Sequence, residues 1–207
     1  MRLIGKTVGR GSSLPGQIAL RLDHDILKKI QLPEHIIAVT GSNGKTSTVE
    51  MIAHVLKSCG KTVAWNREGS NQIEGVTTFL LDDCSLSGRV HSDIILLETD
   101  ERFARHTFRY FDPTLYVITN LYRDQMTRNG HPEWIYHILE ESIHEGVPLL
   151  LNADDPLVSR FGVGREKVAY FGVDKLPLSQ THNTSTVSYT HLDVYNRQPP
   201  TVSLVPE

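Results

Sequence analysis

Cysteine is nearly absent from this 207-residue chain: Cys59 and Cys84 are the whole complement, and they form no CxxC pair. Two lone thiols leave no disulfide framework to read and fit a reducing compartment. Long apolar runs are missing as well. The most apolar stretches, such as Ile94-Ile95-Leu96-Leu97, are far too short to span a bilayer. Met1-Arg2-Leu3-Ile4-Gly5-Lys6 contains no apolar run of signal-peptide length, so a cytoplasmic location is expected. Neither sign of charge is in large excess. With 21 Lys and Arg against 24 Asp and Glu, the formal net charge is −3, and no global field draws the chain to nucleic acid or anionic lipid. No internal repeat stands out.

What is present is alternation. Short, nearly continuous apolar runs recur at 36–40, 62–65, 93–98, 114–119, 148–152 and 167–171. Continuous rather than alternating hydrophobicity suits strands buried on both faces of a mostly parallel sheet. Between them lie helical spacings: Val49, Ile52, Ala53 and Leu56; Ile73, Val76, Thr77 and Leu80; and, after Pro132, Ile135, Ile138, Leu139 and Ile143. Strand and helix in turn predict an α/β fold, a three-layer, doubly wound, mostly parallel sheet with a P-loop. The first 35 residues, broken by glycines and Pro15, read as a lead-in carrying one helix over 18–30. Residues 36–175 read as the central domain. From about residue 174 the periodicity fades and Thr, Ser, Asn and Pro dominate, so 176–207 is expected to be unstructured.

The first strand runs into Thr40-Gly41-Ser42-Asn43-Gly44-Lys45-Thr46-Ser47. Gly41 and Gly44 let backbone approach phosphate oxygens, because no Cβ intervenes. The N–H groups and dipole of the helix start favour anions. Lys45 can set its ammonium against the terminal phosphates, and the Thr46 hydroxyl can ligate Mg²⁺. The full Walker pattern would need a glycine where Val39 stands, so the motif is the compact GxxGK[ST] form. The alternative is an ordinary glycine-rich turn with an exposed lysine.

A metal site also needs an acid. Glu98 ends an apolar run and would project at the carboxyl edge of the sheet, where such folds bind ligands. A solvated strand-end acid is the alternative, and Asp100 and Glu101 are available for the same task.

Together with two later motifs, this loop resembles the ATP-binding domain of the Mur ligases and their folylpolyglutamate synthase relatives. Thr119-Asn120-Leu121-Tyr122-Arg123-Asp124-Gln125 is similar to the family's TNLxxDH segment, and Asn152-Ala153-Asp154-Asp155-Pro156 to its NADD segment. Peptide-adding members usually have His where Gln125 stands. Arg123-Asp124-Gln125, Leu14-Pro15-Gly16 and Glu98-Thr99-Asp100-Glu101 are together similar to the MurT branch, the ATP-using subunits of lipid II isoglutaminyl synthase.

The resemblance implies an ATP- and Mg²⁺-dependent amide ligase. In that branch the D-glutamate α-carboxylate of lipid II is activated as an acyl phosphate, and ammonia from a glutaminase partner, GatD, displaces the phosphate. By the same resemblance Lys45 is the phosphate ligand and a catalytic residue. Thr46 ligates the metal and Glu98 holds it directly or through water, with Glu98 also catalytic. Gly41, Ser42, Asn43, Gly44, Lys45, Thr46, Ser47, Asn120, Asn152 and Asp155 border the nucleotide, although turn chemistry at strand ends is an alternative for Asn120 and Asn152. The other readings are a peptide-adding or folylpolyglutamate-type ligase and a non-catalytic ATP-binding module.

Arg102, Arg105 and Arg109, with His106, read as a solvated charged face, with contact to an anionic substrate as the alternative; Glu140-Glu141 reads as an exposed helix face, and His131, His137 and His144 as solvated positions. The family's four-cysteine zinc ribbon and C-terminal domain find no counterpart after Phe171, where no CxxC follows. The stretch 186–207 resembles adapter-derived peptide and is expected to be non-native, which makes this chain an incomplete fragment of a longer ligase.

Overall fold

The computed structural model describes residues 13–66, 71–122 and 132–173. Arg123-Asp124-Gln125, His131 and the expected tail at 176–207, with its segment 186–207, lie outside the described residues.

All six apolar runs are strands: β1 (His35–Thr40), β2 (Val63–Trp65), β3 (Ile94–Glu98), β4 (Leu115–Ile118), β5 (Leu149–Asn152) and β6 (Val168–Phe171). They form one parallel sheet in the order β2-β3-β1-β4-β5-β6. Successive side chains of a strand face opposite sides, so each run fills two cores at once. On one face Ile36, Ala38, Ile95, Leu97, Tyr116, Ile118, Leu149 and Leu151 pack together. On the other, Val39, Ile94, Leu96 and Val117 join Val49 and Ala53 of α3 (Lys45–Ser58). This two-sided burial is why the strands show no polar alternation in sequence.

Among the described residues, α2 (Ile26–Lys29), α4 (Ile73–Asp82), α5 (Ala104–Phe108), α6 (Pro132–Glu140) and α7 (Pro156–Arg160) cover the first face, and α1 (Leu14–Leu22) packs on α4. Phe108 of α5 meets Tyr116 of β4 edge-on at 5.2 Å between ring centroids within that core. Among the described residues no helix is long and apolar enough to cross a membrane.

One expectation is corrected. Among the described residues of the lead-in, the stretch expected as one helix over 18–30 is split between two helices, Leu14–Leu22 and Ile26–Lys29. The break falls at Asp23, which is extended (φ −150°, ψ 101°), and its carboxylate accepts the Asp25 N–H at 3.1 Å. That local bond competes with helix continuation. Helix α1 instead lies tightly on α4: the Gly16 N–H donates to Thr78 Oγ1 at 2.8 Å, and a Cβ at Gly16 would strike the Glu74 carbonyl oxygen. The short helices α5 and α7 carried too few periodic positions to be read from sequence. Helix α7 starts on its own signal, Asp155 as cap and Pro156 in the first turn.

Candidate nucleotide-binding site

The carboxyl ends of β3, β1 and β4 are neighbours, because Val39 pairs with Glu98 and Thr40 with Ile118. The segments that follow these strands therefore meet at one edge. The chain order reverses about β1, and such a switch point is where open α/β sheets bind ligands.

After β1 the chain crosses Gly41 to Gly44 and enters α3 at Lys45. Gly44 is left-handed, with φ 77°, and no side chain caps the helix. By helix geometry the first-turn N–H groups of α3 have no intrahelical acceptor. Gly41, at φ 138°, lies so close to Thr119 that a Cβ there would strike its hydroxyl.

The loop is laced to the segment after β4. Ser42 N–H donates to the Asn120 carbonyl at 2.8 Å, and the Ser42 hydroxyl bridges the Tyr122 carbonyl and N–H at 3.1 and 3.0 Å. The Asn120 carboxamide embraces Asn43, accepting its N–H at 2.8 Å and donating to its carbonyl at 2.9 Å. Thr119 donates to the carbonyls of Thr40 and Asn43. Loop 41–43 is thereby shaped by contacts that a short motif does not disclose.

Two acids face the start of α3. The Thr46 hydroxyl donates to Glu98 Oε2 at 2.8 Å, and the Lys45 ammonium lies 3.5 Å from Glu101 Oε2. Lys45 also donates to the carbonyls of Gly41 and Ser42. Glu98 is held by Asn66, just past β2, whose carboxamide accepts the Glu98 N–H at 2.7 Å and donates to the Glu98 carbonyl at 2.8 Å. Thr46 and Ser47 are exposed, whereas Glu98, Glu101 and Asn66 are buried. Burial pushes the Glu101 carboxyl above its ordinary range, with the Lys45 charge acting against it.

Asn152 and Asp155 reach the same edge but spend their polar atoms on backbone. Asn152 donates to the Thr119 carbonyl and accepts the Asp154 N–H. Asp155 accepts the N–H groups of Leu121, Leu157 and Val158 at 2.8, 2.9 and 3.1 Å. Burial outweighs these three donors and raises its carboxyl pKa. The structure thus brings Lys45, Thr46, Glu98 and the loop together directly, and surrounds them with Asn120, Asn152 and Asp155 as braces.

Asn66 and Thr119 were missed from sequence. Asn66 had one signal, a polar residue directly after a buried strand, but its partner depends on β2 lying beside β3. The charged residues read as solvated do pair at the surface: Arg105 with Glu141 at 2.7 Å and Arg102 with Asp100 at 3.2 Å. His137 and His144 are exposed, and Cys59 and Cys84 are both free thiols. An open recess of about 700 Å³ lined by Gln31, Glu34, Arg89 and Asp93 lies at the opposite, amino-terminal edge of β1 and β3.

Comparison with known proteins agrees with this geometry. Residues 39–198 match the Mur ligase middle domain. The MurT subunit of lipid II isoglutaminyl synthase (glutamine-hydrolyzing) of Staphylococcus aureus (strain COL) is 36% identical over 174 residues, 83% of this chain and 38% of the relative. The MurT subunit of Streptococcus pneumoniae (strain ATCC BAA-255 / R6) is 40% identical over 171 residues, 81% of this chain and 37% of the relative. Among solved structures, the MurF ligase of Thermotoga maritima in complex with ADP superposes with a TM-score of 0.62 at 22% identity, covering 76% of this chain and 36% of that one. At that identity the likeness speaks for the fold. The chain spans under two fifths of the length of the MurT relatives it matches. With most of its length matched by that domain, the chain belongs to the Mur ligase family through its middle domain.

Proposed function

We propose that this chain is the ATP-binding part of an ATP-dependent carbon–nitrogen ligase subunit of peptidoglycan synthesis, acting in the cytoplasm. Residues 36–175 form the nucleotide-binding unit, and 1–35 lead into it. The observation that carries the reading is the pairing of Thr46 with Glu98 at the mouth of loop 41–44, with Lys45 beside it. A hydroxyl and a carboxylate 2.8 Å apart are the hard oxygen donors that Mg²⁺ takes when phosphates and water complete its shell. Among the described residues no three His, Cys, Asp or Glu side chains gather into a metal cage, so the donor set suits a metal shared with substrate. Mg²⁺ bound by Thr46 and Glu98 would neutralise charge developing on the transferring phosphoryl group.

The chain's own groups supply the rest. The first-turn N–H groups of α3 and the Lys45 ammonium attract the β- and γ-phosphates. Asn120 and Thr119 keep the loop in the shape that admits them. Asn152 and Asp155 set the neighbouring turn on the nucleotide side.

The names of the MurT relatives, lipid II isoglutaminyl synthase (glutamine-hydrolyzing), support lipid II as the acceptor and glutamine as the nitrogen source. A carboxylate oxygen, that of the D-glutamate α-carboxylate in lipid II, attacks the γ-phosphorus, and ADP leaves. Ammonia from a glutaminase partner, GatD, then attacks the carbonyl carbon. Phosphate departs, a proton is lost from nitrogen, and D-isoglutamine results. Phosphorylation is needed because a free carboxylate is a poor acyl donor.

The test has two stages. Calorimetry with MgATP on this chain should give binding that Lys45→Ala weakens about tenfold or more. The product of the complete reading frame, assayed with a glutaminase, glutamine, ATP and lipid II, should yield an amidated stem peptide. No ATP-dependent product with Lys45 intact would defeat the ligase reading. Addition of an amino acid in place of ammonia would favour a peptide-adding ligase.

A further inference from the structure

We propose that Glu101 is a positioning residue for Lys45, supplying the fixed counter-charge that holds the lysine ammonium at the phosphate loop. The inference deepens the nucleotide-binding reading and rests on it.

Three observations carry it. First, Lys45 is largely withdrawn from water, with 15% of its side chain exposed. Its carbonyl partners, Gly41 and Ser42, satisfy hydrogen bonds but carry no net charge. A cation so placed is stabilised by a nearby opposite charge. Among the described residues Glu101 is the carboxylate that comes within ion-pair reach of it, at 3.5 Å. The Glu98 carboxylate is engaged with Thr46 instead.

Second, Glu101 is enclosed by protein rather than solvated. Only 5% of its side chain is exposed, and Oε1 is buried with no hydrogen-bond partner. A surface ion pair would have both oxygens hydrated. Leaving one buried and unmatched opposes folding, and such costs collect at functional sites.

Third, one segment delivers both acids. The Thr99 N–H donates to the Val39 carbonyl at 2.9 Å, and the Phe103 and Ala104 N–H groups both donate to the Asp100 carbonyl at 3.0 Å. This turn, anchored to β1, sets Glu98 against Thr46 and Glu101 against Lys45. The metal-facing hydroxyl and the phosphate-facing ammonium are thus aligned by the same short stretch of chain.

The experiment is calorimetry with MgATP and with adenosine on the purified chain. The variants are Glu101→Gln and the volume-matched Glu101→Met, each alone and combined with Lys45→Met. Either variant that keeps the wild-type circular dichroism spectrum carries the test. The expected result is an MgATP affinity about tenfold weaker, the scale of one charge-assisted hydrogen bond, with adenosine binding unchanged. In the Lys45→Met background the Glu101 substitutions should cost nothing more. As a readout independent of nucleotide, amine labelling of Lys45 followed by peptide mass spectrometry should rise in Glu101→Gln. MgATP affinity equal to or tighter than wild type, an equal loss for adenosine, or a loss that persists without Lys45 would overturn the assignment. If Lys45→Met alone bound MgATP as wild type does, the phosphate-loop reading itself would fail, a result distinct from the others.

Discussion

The Thr46 hydroxyl donates to the Glu98 carboxylate across 2.8 Å, tying the first turn of α3 to the last residue of β3. Asn66 fixes the backbone of Glu98 from the other side, so the carboxylate is aimed rather than loosely exposed. If this pair holds Mg²⁺, removing the Glu98 charge should matter only when metal is present. Glu98→Gln keeps a hydrogen-bond acceptor for Thr46. It is expected to weaken ATP binding about tenfold in Mg²⁺ and to leave it unchanged in EDTA. Calorimetry under the two conditions decides; equal losses in both would remove the metal role.

Asn120 allows a sharper division between bracing the loop and touching the ligand. Its carboxamide makes two bonds to Asn43, one donated and one accepted. Asn120→Ala loses both and should lower stability by about 1–2 kcal/mol in urea unfolding. Asn120→Asp keeps the acceptor but sets a carboxylate oxygen against the Asn43 carbonyl, so a loss at least as large is expected. Nucleotide affinity should follow the same ranking, since the loop shape and not a direct contact is at stake. A large affinity loss with unchanged stability would instead place the carboxamide on the nucleotide.

Much of the fold was legible because two-sided burial writes itself into sequence as unbroken apolar runs, as in Ile94-Ile95-Leu96-Leu97. The phosphate loop was legible for a similar reason, since its glycines, Lys45 and Thr46 act within a few residues of one another. The break at Asp23 was not. The apolar spacing runs on through it, and the Asp23–Asp25 bond that ends α1 is a matter of local competition. Asn66 and Glu101 were harder still. Each acts on a partner more than thirty residues away, and those partners are set by the strand order β2-β3-β1. Sequence could offer Glu101 as an acid near the right place, but not its pairing with Lys45.

Glu101 also gives a pH dependence with a definite sign. Burial raises its carboxyl pKa above the ordinary value of 4.5, and Lys45 only partly opposes this. Between the two values the folded state binds more protons than the unfolded state does. Stability from this group is therefore fully present below about 4.5 and declines as pH rises through the folded value. Glu101→Gln removes that decline. Urea unfolding of both proteins from about pH 4 to 7 should show the wild type losing stability relative to the variant across that window. A constant difference would mean that Glu101 titrates normally.

Gly41 and Gly44 separate two reasons for glycine in a phosphate loop. At Gly44 the backbone is left-handed, φ 77°, yet no atom stands within 4 Å of where a Cβ would be. Gly44→Ala should therefore cost only backbone strain, about 1–2 kcal/mol. At Gly41 the backbone is also unusual, φ 138°, and a Cβ would collide with the Thr119 hydroxyl and approach the Asn120 nitrogen to 2.9 Å. Strain and overlap add there, and relief requires pushing away the strand end that carries Thr119 and Asn120. Those residues hold Asn43, so the disturbance travels along the loop. Gly41→Ala is expected to destabilise by about 3 kcal/mol or more and to weaken MgATP binding with it. Urea unfolding of the two variants side by side tests this. Equal losses would mean that backbone angle alone selects glycine at both positions, and that the close packing of Gly41 on Thr119 yields easily.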